Sequence, residues 1–370
     1  MSELKARHCF TRRKLFQYGL PLVAGSLAAP AIVRNAFASS GELNLMMWPG
    51  YLSEKLLAEF TAETGIKVNL EEVAANKDIL SRVQKKEGAY DLICPTHNRS
   101  LAWAETDLLQ AFDLNQVATS ALIKPFVGFA ETAWNFKEAG AHWLPLVWGA
   151  EGMAWRTDKW EPKEGNPSYG DLWSKENEGA SMGRPFSMMT AAGLAMEANG
   201  DLEVGSVWNS YADEETMRKT WRLITDWCIA NKKPEQGFWK TAEDQFEGLL
   251  GDVTIAQTWD APALGLRSAG EAVAFKAPKE GALVWSDGLA MPKSAVNSEQ
   301  AYALIKFLFA TERAEQSLAD HGYNSAVMNA APQDSDVYTT TDLDNLQVWP
   351  ATPSWYSSAR SEFVNEFVKA

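Results

Sequence analysis

The chain has 370 residues, 46% of them hydrophobic, and a formal net charge of −14 at pH 7. Six basic residues and one acid fall in the first 38, so the rest carries −19. That field repels phosphate backbones and anionic lipid heads, which argues against nucleic-acid and peripheral membrane binding.

The opening segment reads as an export signal. Thr11-Arg12-Arg13-Lys14-Leu15-Phe16 is followed by an uncharged stretch from Gln17 to Val33 and by Ala36-Phe37-Ala38. A basic region, a modest apolar stretch and small residues at a cleavage point form that layout, and the paired arginines fit its twin-arginine variety. The apolar stretch holds Gly19, Pro21 and Gly25 and is too weak for a membrane span. A soluble periplasmic chain beginning near Ser39, cut after Ala38, is expected. About 330 residues then remain, enough for two domains with sizeable cores. Cys9 leaves with the signal. Cys94 and Cys228 sit in apolar runs with no metal-ligand spacing and read as small buried hydrophobes, in a compartment that would permit a disulfide.

Beyond the signal, strand-like and helix-like segments alternate. Leu43–Met47 is a short apolar run. Leu52, Leu56, Leu57 and Phe60 share a helical face that Gly65 closes. Ile66, Val68 and Leu70 alternate as in a strand, and Tyr90–Cys94 and Leu144–Trp148 are further apolar runs, ending at Pro95 and Gly149. Met217, Trp221, Ile224 and Trp227/Cys228 predict a helix over 213–230. Val253–Trp259 and Ala282–Trp285 read as strands, and Asn297 with Gln300 as a capping box opening a helix with Tyr302, Ile305 and Phe309. The alternation predicts an α/β fold on mainly parallel sheets, with functional residues at the carboxyl ends of strands. Four runs end in aromatic or polar residues before a turn: Met47-Trp48-Pro49-Gly50-Tyr51, Pro95-Thr96-His97-Asn98, Thr258-Trp259-Asp260 and Val284-Trp285-Ser286-Asp287-Gly288.

At these residues the chain resembles the spermidine/putrescine-binding periplasmic proteins, the solute-binding subunits of ABC importers. The matching pieces run in order. After the opening strand to Trp48 and Tyr51 come Phe60-Thr61-Ala62-Glu63-Thr64-Gly65-Ile66-Lys67-Val68 and Gly88-Ala89-Tyr90-Asp91-Leu92. Pro145-Leu146-Val147-Trp148-Gly149-Ala150 and Asp171-Leu172-Trp173 follow. The last are Trp285-Ser286-Asp287-Gly288-Leu289-Ala290-Met291-Pro292 and the helix running to Gly322-Tyr323. The resemblance implies a two-lobed α/β periplasmic binding-protein fold of type II, with strands crossing between lobes near Val147-Trp148 and Trp285-Ser286. Lobe one would be 41–147 with 286–331, and lobe two 148–285 with 332–370. It also implies capture of a small amine by lobe closure and delivery to a membrane permease, by a monomer without a cofactor.

Carried over residue by residue, Trp48, Tyr51, Trp259, Trp285, Asp287 and Tyr323 fall on ligand-contacting positions, Thr96 on one held by a small hydroxyl residue, and Gln347 on a looser match. Aromatic faces attract a cation and a buried carboxylate gives it a charge-assisted hydrogen bond. By itself, Asp287 reads most often as a turn residue before Gly288. Trp155, Trp173, Trp221 and Trp227 read as packing residues. The family's second acidic cluster aligns with Arg184-Pro185-Phe186-Ser187-Met188-Met189, which holds no carboxylate. Arg184 there could pair with an acid group, so a zwitterion or a quaternary amine is weighed against a polyamine. Rival readings are an enzyme using Cys94 and His97, for which no orienting third group is found, and a ferric-binding protein. The latter would need a tyrosine or His/carboxylate cluster that the sequence does not display.

Overall fold

The computed structural model describes residues 41–73, 75–85, 90–163, 165–177, 179–328, 337–338, 342–343 and 345–370. The export signal with its cleavage point, Cys9 and the Gly88-Ala89 part of one matching segment lie outside them. Among the described residues no helix is long and apolar enough to cross a membrane.

The N-terminal half builds a three-stranded parallel sheet, with Glu42–Met47 between Lys67–Glu72 and Leu92–Ile93. The helix Glu54–Thr64 links the first two strands. Ser53 caps it by accepting from the Leu56 N–H at 3.1 Å, and Gly65 ends it in the left-handed conformation at φ 74°. Leu56 and Phe60 of that helix meet Leu43, Leu45, Leu304 and Ile305 in one core.

The second sheet is mixed, which departs from the mainly parallel arrangement expected. Its centre is the thirteen-residue strand Leu144–Arg156, twelve residues of which are buried. This strand pairs antiparallel with Leu283–Leu289, Val253–Trp259, Val273–Lys276 and Asn324–Ser325. Only the outer strands Ala180–Gly183, Gln236–Phe238 and Val253–Trp259, and the Gln347–Val348 pairing with Leu283 and Val284, are parallel. Behind it lies the helix Pro185–Asn199, buried without interruption from Ser187 to Met196. It packs with Trp221, Ile224 and Phe367 in a separate core. Trp155, Trp173, Trp221 and Trp227 all pack there, and Cys94 and Cys228 are buried and free.

Gly149, expected to end a strand, lies inside one. A Cβ at Gly149 would stand 2.5 Å from Cζ2 of Trp285, and one at Gly152 2.6 Å from Cζ of Phe275. These glycines admit neighbouring rings rather than turn the chain. The helix after Asn297 runs from Ser298 to Leu308, but Asn297 makes no side-chain cap. Its amide donates instead to Asp91 at 3.0 Å, as do the backbone N–H groups of Asn297 and Val296 at 3.0 and 3.1 Å. The buried carboxylate outcompetes the capping box.

Candidate ligand-binding site

Where the two cores meet, Leu283–Leu289 runs beside Leu144–Arg156 with Trp285 opposite Gly149 and Asp287 opposite Val147. Val253–Trp259 flanks the other edge with Trp259 opposite Glu151. Side chains of directly opposed residues share a face and alternate along each strand. Trp285, Asp287, Glu151 and Trp259 therefore project from the same side of one sheet, with the gap at Gly149 between them. Trp285 packs against both cores.

At one end of this face, Asp287 is 4% exposed. The Tyr51 hydroxyl donates to its Oδ2 at 2.6 Å and the Thr96 hydroxyl to its Oδ1 at 2.5 Å. Thr96 is fixed in turn by Asn76, whose Nδ2 donates to Oγ1 at 2.8 Å and whose Oδ1 accepts the Thr96 N–H at 2.9 Å. An ionised carboxylate accepts about four hydrogen bonds, so two sites are left for a ligand cation. Tyr323 sets its ring edge-on to Trp285 at 5.2 Å and to Tyr51 at 5.9 Å. Trp48, half-buried, is anchored by its Nε1, which donates to the Cys94 carbonyl at 2.9 Å. Five of the expected residues (Tyr51, Thr96, Trp285, Asp287 and Tyr323) thus form one contact network, and Trp48 borders it through Cys94, two residues before Thr96. Among the described residues no cation pairs with Asp287, and burial raises its pKa to about 6 against the pull of Thr96 and Tyr51.

Trp259 and Arg184 belong to the other end, around Glu151, a residue the sequence reading passed over. Four residues of strand separate Glu151 from Val147, the partner of Asp287, which is about 13 Å. Glu151 is 2% exposed. It accepts from Trp259 Nε1 at 3.3 Å, and Arg184 Nη1 lies 3.9 Å from its Oε1. Burial raises the Glu151 pKa, while Arg184, Ser187, Trp259 and Arg360 oppose the rise. Gln347 stands apart, taking a hydrogen bond from Trp208 Nε1 at 2.8 Å.

His97 and Cys94 form no nucleophilic pair. His97 is fully buried and bonded through both ring nitrogens: Nδ1 accepts the Ser286 N–H at 3.1 Å and Nε2 reaches the Trp349 carbonyl at 2.8 Å. Tyr51 and Tyr323 meet ring to ring, and the described residues hold no cluster of three or more His, Cys, Asp or Glu side chains able to bind a metal.

Two expectations follow from this geometry. Gly149→Ala should push the Trp285 ring off the sheet, costing about 1–3 kcal/mol of stability and weakening ligand binding; thermal melts and calorimetry of the variant check both. A ligand cation needs Asp287 ionised, so with a carboxyl pKa of about 6 its affinity should fall about tenfold per pH unit below that value. Calorimetry between pH 5 and 8 reads this directly, and a flat profile would place the cation elsewhere.

Two α/β units joined by crossing strands, with an aromatic-walled carboxylate where they meet, make this a two-lobed periplasmic binding-protein fold. Residues 55–344 match the family of bacterial extracellular solute-binding proteins, and the chain belongs to that family. Among its relatives, the spermidine/putrescine-binding periplasmic protein of Escherichia coli K12 is 26% identical over 309 residues, 82% of either chain. The putrescine-binding periplasmic protein of Pseudomonas aeruginosa is 22% identical over 318 residues, 80% of this chain and 81% of that one. A spermidine/putrescine ABC transporter substrate-binding protein from Streptococcus pneumoniae shares the fold, with a TM-score of 0.71 at 19% identity over 89% of this chain and 98% of the other.

Proposed function

We propose that this protein is the periplasmic capture subunit of an ABC importer. It would bind a small amine-bearing solute between its lobes and pass it, as a monomer, to a membrane permease after export and removal of the N-terminal signal. The observation that carries the amine is Asp287, a buried carboxylate oriented by Tyr51 and Thr96 that faces aromatic rings and has no cationic partner among the described residues. An ammonium group docked there gains a charge-assisted hydrogen bond and the attraction of the Trp285 and Tyr323 faces, about 0.5–2 kcal/mol per ring. The names of the relatives support the same class of solute.

The lobes are taken as 41–147 with 286–331 and 148–285 with 332–370, so that Trp285 and Gly149 lie at the crossing and Asp287 lies on the lobe-one side. Trp48, Tyr51, Thr96, Trp285, Asp287 and Tyr323 would hold the amine, and Trp259 and Arg184 the far end of the solute. A solute touching both ends favours the closed arrangement, and closure is what a permease would read. A thermal-shift screen of the purified protein tests the class, because a ligand of the native state raises the melting temperature by mass action. Polyamines, ω-amino acids, aminosulfonates and quaternary amines are the panel. A shift with at least one amine is expected, and silence across all of them would remove the reading.

A further inference from the structure

The far end of the site is cationic. The Arg184 guanidinium carbon lies 4.5 Å from the centre of the Phe186 ring and 5.8 Å from that of Trp239. Arg360, from the C-terminal helix Tyr356–Lys369, packs on the same Phe186 ring at 4.2 Å and on Tyr356 at 5.8 Å. Among the described residues one carboxylate answers these two charges, Glu151, and it stands 3.9 Å from Arg184. Among the described residues Arg360 has no carboxylate within ion-pairing distance. Arg99, exposed on the segment after Thr96, feels the Arg360 charge from the lobe-one side.

The backbone adds to this balance. Arg184 precedes the helix Pro185–Asn199 without capping it by its side chain. The first-turn N–H groups of Phe186 and Ser187 therefore have no acceptor inside the helix and present partial positive charge. The Ser187 hydroxyl is fully buried and faces Glu151, whose carboxylate it helps keep ionised, although no hydrogen bond between them closes at full geometry. An oxyanion would satisfy that hydroxyl and the N–H groups together, and planar guanidiniums suit it geometrically. Among the described residues the face is thus polarised, with a carboxylate lacking a cation at Asp287 and cations outnumbering carboxylates around Phe186.

We propose that the solute is a zwitterion, its ammonium group on Asp287 and its carboxylate, sulfonate or phosphonate group between Arg184 and Arg360 at the start of the helix Pro185–Asn199. This rests on the reading of Asp287 as an ammonium site. A second ammonium group at the far end would meet two guanidiniums with Glu151 already beside one of them. An acid group there also screens Arg99 from Arg360 and so removes a repulsion that opposes closure. Glu151 then serves to neutralise and hold Arg184 rather than to bind solute.

Calorimetry on the whole protein with putrescine and γ-aminobutyrate separates the cases, since the second replaces one ammonium of the first by a carboxylate. The aminopropyl sulfonate and phosphonate extend the series. At least one zwitterion is expected to bind about tenfold or more tightly than putrescine, and Arg360→Gln and Arg184→Gln are each expected to cut that affinity about tenfold, a larger loss than either causes for putrescine. Arg184 is partly exposed, so its variant keeps the test open where Arg360→Gln fails to fold. Putrescine binding more tightly than every zwitterion, and lost in Glu151→Gln, overturns the zwitterion and leaves amine capture standing. Failure of every amine, with Asp287→Asn indifferent, overturns both.

Discussion

Asp287→Asn is expected to cut affinity for the amine by more than about a hundredfold while leaving the folded protein at least as stable as the parent. The two effects have one cause. Asp287 is buried between the Tyr51 and Thr96 hydroxyls, and its pKa of about 6 means that the empty site carries the desolvation cost of its charge at neutral pH. Relative to an ordinary carboxyl, that cost is about 3 kcal/mol at pH 7. The amide removes the charge and can still accept from one hydroxyl and donate to the other. A bound ammonium would lose its counter-ion, and stripping one partner from a buried charge pair costs about 2–5 kcal/mol. Melting curves without ligand and calorimetry with it measure the two halves separately. A variant that binds as the parent does would show that Asp287 is a structural turn residue. A variant that unfolds would show that the carboxylate holds Tyr51 and Thr96 in place rather than waiting for a cation.

The sequence made the strand ends readable because four of them break their apolar runs with aromatic and polar residues, and three of these converge: Tyr51, Thr96, Trp285 and Asp287 join one network with Tyr323, while Trp259 of the fourth meets Glu151. What stayed hidden lay inside apolar runs. Gly149 looked like a stop because a glycine before a possible turn commonly is one, yet its role is set by the Trp285 ring on the neighbouring strand, which the local pattern does not contain. The same misreading concealed Glu151. Once the strand was ended at Gly149, an acid two residues later fell in a presumed loop, where it needs no explanation. In a strand buried on both sides of it, that acid is a costly group whose presence calls for a partner, and the partners Arg184 and Trp259 come from distant segments. A single acid in the otherwise apolar run Leu144–Trp155 was the available signal. Asp91 illustrates the same limit. The Asn297–Gln300 spacing proposed a local cap, and a buried carboxylate some 200 residues away in sequence took the donor.

His97 carries the largest expected effect outside the binding site. It joins three separate pieces of chain: Ser286 in the crossing strand donates to Nδ1, Nε2 reaches the Trp349 carbonyl, and the Trp134 indole donates to the His97 carbonyl at 2.7 Å. Because Ser286 N–H occupies Nδ1, the proton sits on Nε2 and the ring is neutral. His97→Leu keeps much of the bulk but strands a buried N–H and a buried carbonyl, for an expected loss of about 2–5 kcal/mol. The loss should itself depend on pH. Burial lowers the His97 pKa from 6.5 to about 4, so between those values the unfolded chain binds the proton that the native one refuses. The contribution of His97 is therefore complete above pH 6.5 and declines by about 3 kcal/mol as pH falls to 4. Asp287 and Asp260 act with the opposite sign, since burial raises both to about 6 and each stabilises the native state on protonation as pH drops from there. The parent protein should consequently show a shallow acid profile in which these terms cancel. The difference between parent and His97→Leu isolates the imidazole, and it should shrink steadily from pH 6.5 to 4.5 in denaturant titrations. A difference that stays constant over that range would mean that His97 titrates normally and that its two backbone bonds are not what joins the crossing strand to the C-terminal segment.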